Sequence, residues 1–232
     1  IFPRDFSLNG YEMLLQMTDF LVFFRNSFFV SIFSSIIALV LSVSAVYGVT
    51  RYKFLGSNAF TYLSLIIYMI PPVLLVIPLY TFWVNVSYSD TLLSLGLSYV
   101  ALTLPFALWM CRSYFGTISM QMEEAALVDG ASRLKAFILV TVPQAIPGLI
   151  ATFIFTFILA WNEYVVGLIL ISSQANKTVS LGVADLIGES AMYSWSMLNA
   201  AGVLSTIPIL ILFIFIQKNL VSGMSAGALT GQ

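Results

Sequence analysis

The sequence predicts an all-α integral membrane protein, and three observations carry that prediction. First, 60% of its 232 residues are hydrophobic and only 8% are charged, against about 25% charged in soluble globular domains; the mean hydropathy is +1.00. Second, five apolar windows, at 26–49, 59–84, 91–111, 148–170 and 198–217, approach or exceed the roughly 20 residues that a spanning helix needs. Third, no stretch shows the ten-residue alternation of an outer-membrane barrel, so helices must satisfy the backbone hydrogen bonds in lipid.

In the first span Ser31, Ser35, Ala38, Ser42 and Ala45 recur every three or four residues. They place small side chains on one helical face, which lets another helix approach closely in lipid. The second span contains Pro71, Pro72 and Pro78, and the third contains Pro105. Proline removes a backbone donor and clashes with the preceding turn, so these helices are expected to kink or break. Broken helices line watery cavities in some membrane proteins and are plain structural kinks in others. Pro71 and Pro72 are therefore candidates for a pathway, with the structural kink standing equally beside that reading.

The fourth span holds the one acidic residue within an apolar window, Glu163 in Ala160-Trp161-Asn162-Glu163-Tyr164. An ionised carboxylate at the bilayer centre costs roughly 2.5–3.5 kcal/mol on insertion scales, so something must solvate or pair it. Trp161, Asn162 and Glu163 either face a pathway or gate, or Glu163 makes a helix-to-helix hydrogen bond with Asn162. A structural or gating role is preferred to direct contact with a solute.

Positive residues mark the cytoplasmic side of a membrane protein. Arg51, Lys53, Arg112, Arg133, Lys135 and Lys218 fall on one side of the five spans. Arg4, Arg25 and Lys177 fall on the other, among Asp5, Glu12, Asp19, Asp90, Asp185 and Glu189. This divides the single transmembrane domain, 1–232, into an extracytoplasmic lead-in at 1–25, a long cytoplasmic loop at 112–147 and a cytoplasmic tail at 218–232. Five spans with the tail inside put Ile1 outside; with no signal peptide visible, a sixth span is expected ahead of it.

Other classes recede on composition. A net charge of -1 and a pI near 5.2 leave no basic surface for nucleic acid. The absence of His, with Cys111 the only cysteine, removes the commonest general base and metal ligand and any internal disulfide, so no catalytic or metal site is expected.

The loop reads Met122-Glu123-Glu124-Ala125-Ala126-Leu127-Val128-Asp129-Gly130-Ala131-Ser132 at its middle. Glu123 and Glu124 suit the positive end of a helix dipole, Ala125 and Ala126 favour helix, and Gly130 suits a left-handed terminator. A second helical piece follows, with Leu134, Phe137, Ile138 and Thr141 at i, i+3, i+4, i+7 spacing, before Pro143 and Pro147 turn the chain into span four. Such an elbow fits a groove on a soluble partner, and it fits equally an interfacial connector lying on the membrane.

Glu124-Ala125-Ala126, three residues, Gly130, nine residues and Val140-Thr141-Val142-Pro143 resemble the cytoplasmic EAA loop, E-A-A-x3-G-x9-I-x-L-P, of permease subunits of binding-protein-dependent ABC importers. The departures are Val140 for Ile and Val142 for Leu. Asn26-Ser27, Tyr47 to Gly56, Ile70-Pro71 to Tyr80, Ser89-Asp90-Thr91-Leu92, Phe153 to Tyr164 and Val221 to Ala228 extend the likeness to the carbohydrate branch, specifically the smaller maltose-type subunit. The resemblance implies a type I ABC importer permease fold in a bacterial or archaeal cytoplasmic membrane. It also implies a second permease subunit, two ATP-binding subunits, an extracytoplasmic solute-binding protein and a sugar, of the oligosaccharide class, as substrate. Neither a cofactor nor a Walker A sequence is expected in this chain; ATP and Mg belong to the partner ATPase. By the same resemblance Glu123, Glu124, Ala125, Ala126, Asp129, Gly130 and Ala131 form the ATPase-coupling set. Glu124 supplies the docking charge, Ala125, Ala126 and Ala131 the close-fitting surface and Gly130 the bend, while Asp129 caps or orients the second helix. The competing readings are an importer of another solute (amino acid, polyamine or anion), a secondary transporter, and a membrane scaffold.

Overall fold

A computed structural model describes residues 7–52, 56–188 and 195–228, with side chains described as far as residue 215 except at 58 and 61. Arg4, Asp5, Lys53, Glu189, the Lys218 side chain and residues 229–232 lie outside the described residues. All the regular structure among the described residues is helical. The chain runs through α1 (Asn9–Met17), α2 (Phe20–Arg51), α3 (Ser57–Tyr68), α4 (Pro72–Asn85), α5 (Leu92–Phe115), α6 (Met120–Val128) and α7 (Arg133–Ala136). A π-helical segment (Phe137–Thr141) joins α7 to α8 (Val142–Trp161), and α9 (Val165–Leu170), a 3-10 turn (Gln174–Asn176), α10 (Val179–Gly188) and α11 (Trp195–Ala228) follow.

Among the described residues four helical stretches are long and apolar enough to cross a membrane: Phe20–Arg51, Leu92–Phe115, Arg133–Trp161 and Trp195–Phe215. The broken pair α3 and α4 makes a fifth when taken as one span. Within the stretch expected as a lead-in at 1–25, α2 already begins at Phe20, and its 32 residues extend about 48 Å at 1.5 Å per residue. The fourth span is shifted and cut: helix runs without a gap from Arg133 to Trp161 and stops there, so the expected window 148–170 contains a break and a separate short helix, α9. Pro143 and Pro147 do not turn the chain either. Pro143 follows a π turn in which the Val142 amide reaches back to the Phe137 carbonyl, and the Gln144 side-chain amide donates to the Val140 carbonyl at 2.8 Å. The expected tail at 218–232 continues α11 as far as Ala228. At the other expected break the helix does stop: α3 and α4 are separated at Met69–Pro71, and Pro72 opens α4, where its missing N–H has no helical partner to lose.

The chain divides into two compact units. One comprises 1–33, 72–99 and 158–212, and its core includes Leu14, Phe23, Leu95, Tyr99, Trp161, Val166, Leu170 and Met197. α4 packs on α9 within it. The other comprises 34–71, 100–157 and 213–232 and is built around Val46, Cys111, Phe115 and Ala145, with Leu39, Val43, Leu108, Phe137 and Leu149 packed against them. The small-residue stripe of the first span is buried at Ser31, Ser35, Ala38 and Ser42; in the second unit Ser42 Oγ lies 3.3 Å from Cys111 Sγ.

Close approach in the second unit depends on Gly148, where a Cβ would run into the Tyr114 ring. Gly148→Ala is expected to cost about 1–3 kcal/mol through overpacking. Gly48→Ala, whose Cβ meets nothing within 4 Å, is expected to gain about 0.5–1 kcal/mol of helix propensity. Thermal melting of the two variants in one detergent checks the contrast, and equal melting temperatures would refute it.

Candidate functional site: the elbow and its buried carboxylate

The elbow is set by local chemistry. Ser119 Oγ accepts from the Gln121 amide at 3.3 Å and so satisfies one free donor at the start of α6. At the other end Gly130 has φ of +88°. Its amide donates to the Leu127 carbonyl at 3.1 Å and the Ala131 amide to the Ala126 carbonyl at 3.0 Å, the paired bonds of a Schellman ending. Ser132 Oγ then accepts from the Lys135 amide at 3.4 Å to open α7. The capping expected of Asp129 thus falls to Ser132, while Asp129 closes α6.

Successive residues on a helix point about 100° apart, and this separates the two glutamates. Glu124 and Ala125 are exposed, Ala126 and Ala131 half-buried, and Asp129 and Gly130 exposed. Glu123 points inward and is the one buried residue of α6. Its Oε1 accepts from the Tyr47 hydroxyl at 2.6 Å. Its Oε2 accepts from Arg51 Nε at 2.8 Å and from Thr141 Oγ1 at 2.9 Å. The two charged side chains are only 6% and 5% exposed. Tyr47 also stacks on Phe137, with centroids 4.2 Å apart, and the Arg133 guanidinium lies 5.6 Å over the Tyr52 ring. Burial by itself would raise the Glu123 pKa. The hydrogen bonds from Tyr47 and Thr141, with the charge and hydrogen bond of Arg51, outweigh it and hold the carboxyl below its usual 4.5.

Glu123 therefore faces away from the outward surface of Glu124, Ala125, Ala126, Gly130 and Ala131, the residues with which the expected ATPase-coupling set groups it. The face expected of Leu134, Phe137, Ile138 and Thr141 is also split. Thr141 is buried and Phe137 half-buried, whereas Leu134 and Ile138 are 66% and 50% exposed. The π segment between them departs from the 3.6-residue period on which that face was drawn.

Pro71 and Pro72 are exposed at the break between α3 and α4. Trp161 is 3% exposed, stacks edge-on with Phe24 at 5.4 Å and donates its indole N–H to the Ser205 carbonyl at 3.2 Å, so it offers no pathway surface within its unit. Asn162 donates to the Ile158 carbonyl at 2.9 Å and makes no bond to Glu163 among those observed. Glu163 lies outside any helix, and its carboxylate accepts from the amides of Val166 at 2.8 Å and Gly167 at 3.1 Å. It caps α9, a structural task that explains an acid in an apolar window.

Sequence reasoning missed three partners. Tyr47, Arg51 and Thr141 were visible as a tyrosine, a topology charge and a helix-face residue, and only their meeting at Glu123 gives them a role. It also left Asn26-Ser27 and Asp90 without one. Asp90 Oδ1 accepts from the amides of Ser172 at 2.9 Å and Ser173 at 3.0 Å and from Ser173 Oγ at 3.1 Å. Burial pushes its pKa up, but these bonds more than offset that and leave it low. Asn26 Nδ2 donates to the carbonyls of Ala175 and Lys177 at 2.8 and 3.0 Å, and Ser27 Oγ accepts from the Val179 amide at 2.7 Å. These side chains fasten the segment 171–179 to α2 and to the loop before α5.

Long apolar helices, one broken at proline, with a built helical elbow between the third and fourth, define a multi-pass membrane protein. The chain belongs to the family of binding-protein-dependent transport system inner membrane components, whose sequence pattern matches residues 38–226. It is 34% identical to the inner membrane ABC transporter permease protein YcjP of Escherichia coli, over all of this chain and 83% of that one. It is 34% identical to the trehalose/maltose transport system permease protein MalG of Thermococcus litoralis, over 97% of this chain and 82% of that one. A third relative, the trehalose transport system permease protein SugB of Mycobacterium tuberculosis, is 32% identical over 100% and 85%. The fold matches a chain of a crystal structure of a bacterial ABC transporter involved in the import of the acidic polysaccharide alginate, with a TM-score of 0.76, 22% identity and coverage of 94% of this chain and 81% of that chain. It also matches a chain of the inward-facing MetNI methionine ABC transporter, with a TM-score of 0.64, 20% identity and coverage of 94% and 99%. The chain thus has the all-helical permease fold of ABC importers.

Removing one member of a buried ion pair typically costs about 3–5 kcal/mol, so Glu123→Ala is expected to lower the melting temperature strongly. A carboxyl with a depressed folded pKa stabilises above its unfolded value and loses that contribution as pH falls through the folded one. The melting difference between the parent and Glu123→Gln should therefore be full at neutral pH and shrink below the usual carboxyl value of 4.5. A difference independent of pH across that window would show that the charge contributes nothing.

Proposed function

We propose that this chain is the permease subunit of an ATP-driven importer, that it forms half of a translocation pathway for a sugar, and that its elbow takes up the motion of a separate ATPase. The observation that carries the reading is the division of α6: Glu123 is turned inward, leaving Glu124 and Ala125 exposed beside Met122 at 51% and Val128 at 87% exposure. Exposed apolar side chains beside a charge suit a partner groove. An interfacial connector would bring the same apolar residues to lipid, but the carboxylate of Glu124 would face that lipid with them.

In this reading the elbow is cytoplasmic, as the placement of Arg51, Arg112, Arg133 and Lys135 supports. The chain pairs with a second permease subunit and two ATP-binding subunits that use ATP and Mg. A solute-binding protein outside the membrane delivers the substrate. Glu124 contributes charge, Ala125, Ala126 and Ala131 permit close approach, and Gly130 holds the bend. The sugar class rests on the relatives: their names include trehalose/maltose, trehalose and diacetylchitobiose transport systems.

The elbow reading is tested at Gly130, where φ of +88° is strained for a β-branched side chain. Gly130→Val is expected to leave the spans folded while lowering sugar uptake per ATP about tenfold, a loss of about 1.4 kcal/mol of coupling. Unchanged uptake would defeat the assignment. For the substrate, the binding protein is screened by thermal shift against trehalose, maltose, diacetylchitobiose and a set of amino acids. Stabilisation by a sugar is expected, and a response to amino acids and to no sugar overturns the sugar class.

A further inference from the structure

Glu123 does something that the outward face of the elbow does not. α6 packs on α7 and the π segment, and Glu123 is its one buried residue. That single carboxylate is bonded to two elements beyond its own helix: α2, through Tyr47 and Arg51, and the start of the fourth span, through Thr141. Met122, Glu124, Ala125 and Val128 on the other faces are exposed. A force applied to those exposed faces reaches α2 through this carboxylate, beside the packing of Phe137 on Tyr47.

The chemistry of the link argues for more than adhesion. An apolar pair of the same volume holds two helices together as well as a buried ion pair, or better. An ion pair with three donors on two oxygens adds directionality. Both carboxylate oxygens are bonded in this one arrangement, and sliding α6 along α2 would strand a charge that is only 5% exposed. The link therefore resists slippage in a way that apolar packing does not. Its partners on α2 are also one helical turn apart, at 47 and 51, so the carboxylate is held at two points along that helix.

We propose that Glu123, held by Tyr47 and Arg51, is the positioning residue that passes movement of the elbow to α2, so that α6 and this end of α2 travel as one piece during the transport cycle. The proposal rests on the reading of the elbow as the ATPase contact, and the experiment separates the two. The complete transporter, with its companion permease and ATPase subunits, is reconstituted in nanodiscs. MgATP hydrolysis is measured with and without the purified binding protein, and retention of the ATPase subunits is scored in the same preparation.

The variant Arg51→Met with Glu123→Leu replaces the ion pair by an apolar pair. It is expected to keep its ATPase subunits and its basal hydrolysis, while stimulation by the binding protein falls about fivefold or more. Arg51→Lys, which keeps the charges, should retain most of the stimulation. Parent-like stimulation in the apolar variant overturns the proposal. Loss of the ATPase subunits from that variant also overturns it, since Glu123 would then support docking and not transmission. If Glu124→Lys keeps its ATPase subunits, or the parent shows no stimulation, the elbow reading fails, and this inference falls with it. Should the apolar variant fail to reach the membrane, Thr141→Val carries the test: it removes one bond to the same carboxylate at nearly constant volume. A drop of about twofold or more in stimulation is then expected, and no drop overturns the link.

Discussion

In hydrocarbon a main-chain amide or carbonyl has no water to bond, and leaving it bare costs several kcal/mol. A helix that ends in or near the membrane must therefore bring its own replacement donors and acceptors. After Trp161 the Glu163 carboxylate takes two amides at the start of α9. The Trp161 indole serves the Ser205 carbonyl, in a helix that carries Pro208. Where Pro143 lacks an N–H, the neighbouring Gln144 side chain donates to a carbonyl of the preceding turn. The same economy governs the segment 171–179, whose amides and carbonyls are taken by Asp90, Asn26 and Ser27. Much of the polar chemistry in a chain so short of charge goes to making interrupted helices tolerable.

The elbow follows a different logic. Its ends are fixed by Ser119, Gly130 and Ser132, so its shape is local, while its attachment is not. Residues 47, 51, 123 and 141 come from three stretches of sequence and meet at one carboxylate. By contrast the ion pair of Lys177 with Asp185, at 2.6 Å, is 22% and 38% exposed and is of the kind that contributes about 0–1 kcal/mol. Burial, not the presence of opposite charges, distinguishes the two pairs.

Local periodicity and composition made the fold class, the first, third and fifth spans and the elbow legible, because 20-residue apolar runs and a Gly-terminated Glu-Ala-Ala helix carry their own signals. The fourth span was misplaced because Asn162-Glu163 interrupts the helix without interrupting the apolar run. Hydropathy averages over such a break, whereas the cap depends on two amides three and four residues further on. The helical face at Leu134 was misread because a π turn alters the period from within. The inward turn of Glu123 was not legible because neighbouring glutamates look alike in a row of letters. Only the tyrosine and arginine of α2, more than seventy residues earlier, decide which of them turns inward.

That buried pair also has a consequence for substitution. An ion pair and an apolar pair can each fill the space between α2 and α6, yet any path of single substitutions from one to the other passes through a lone buried charge. The halfway state is worse than either end, whichever partner changes first. A chain that carries the charged pair is thereby separated from the apolar one by a less stable intermediate, so Arg51 and Glu123 exchange without loss only as a set. Glu124, exposed on the other side of α6, carries no such penalty within its own chain.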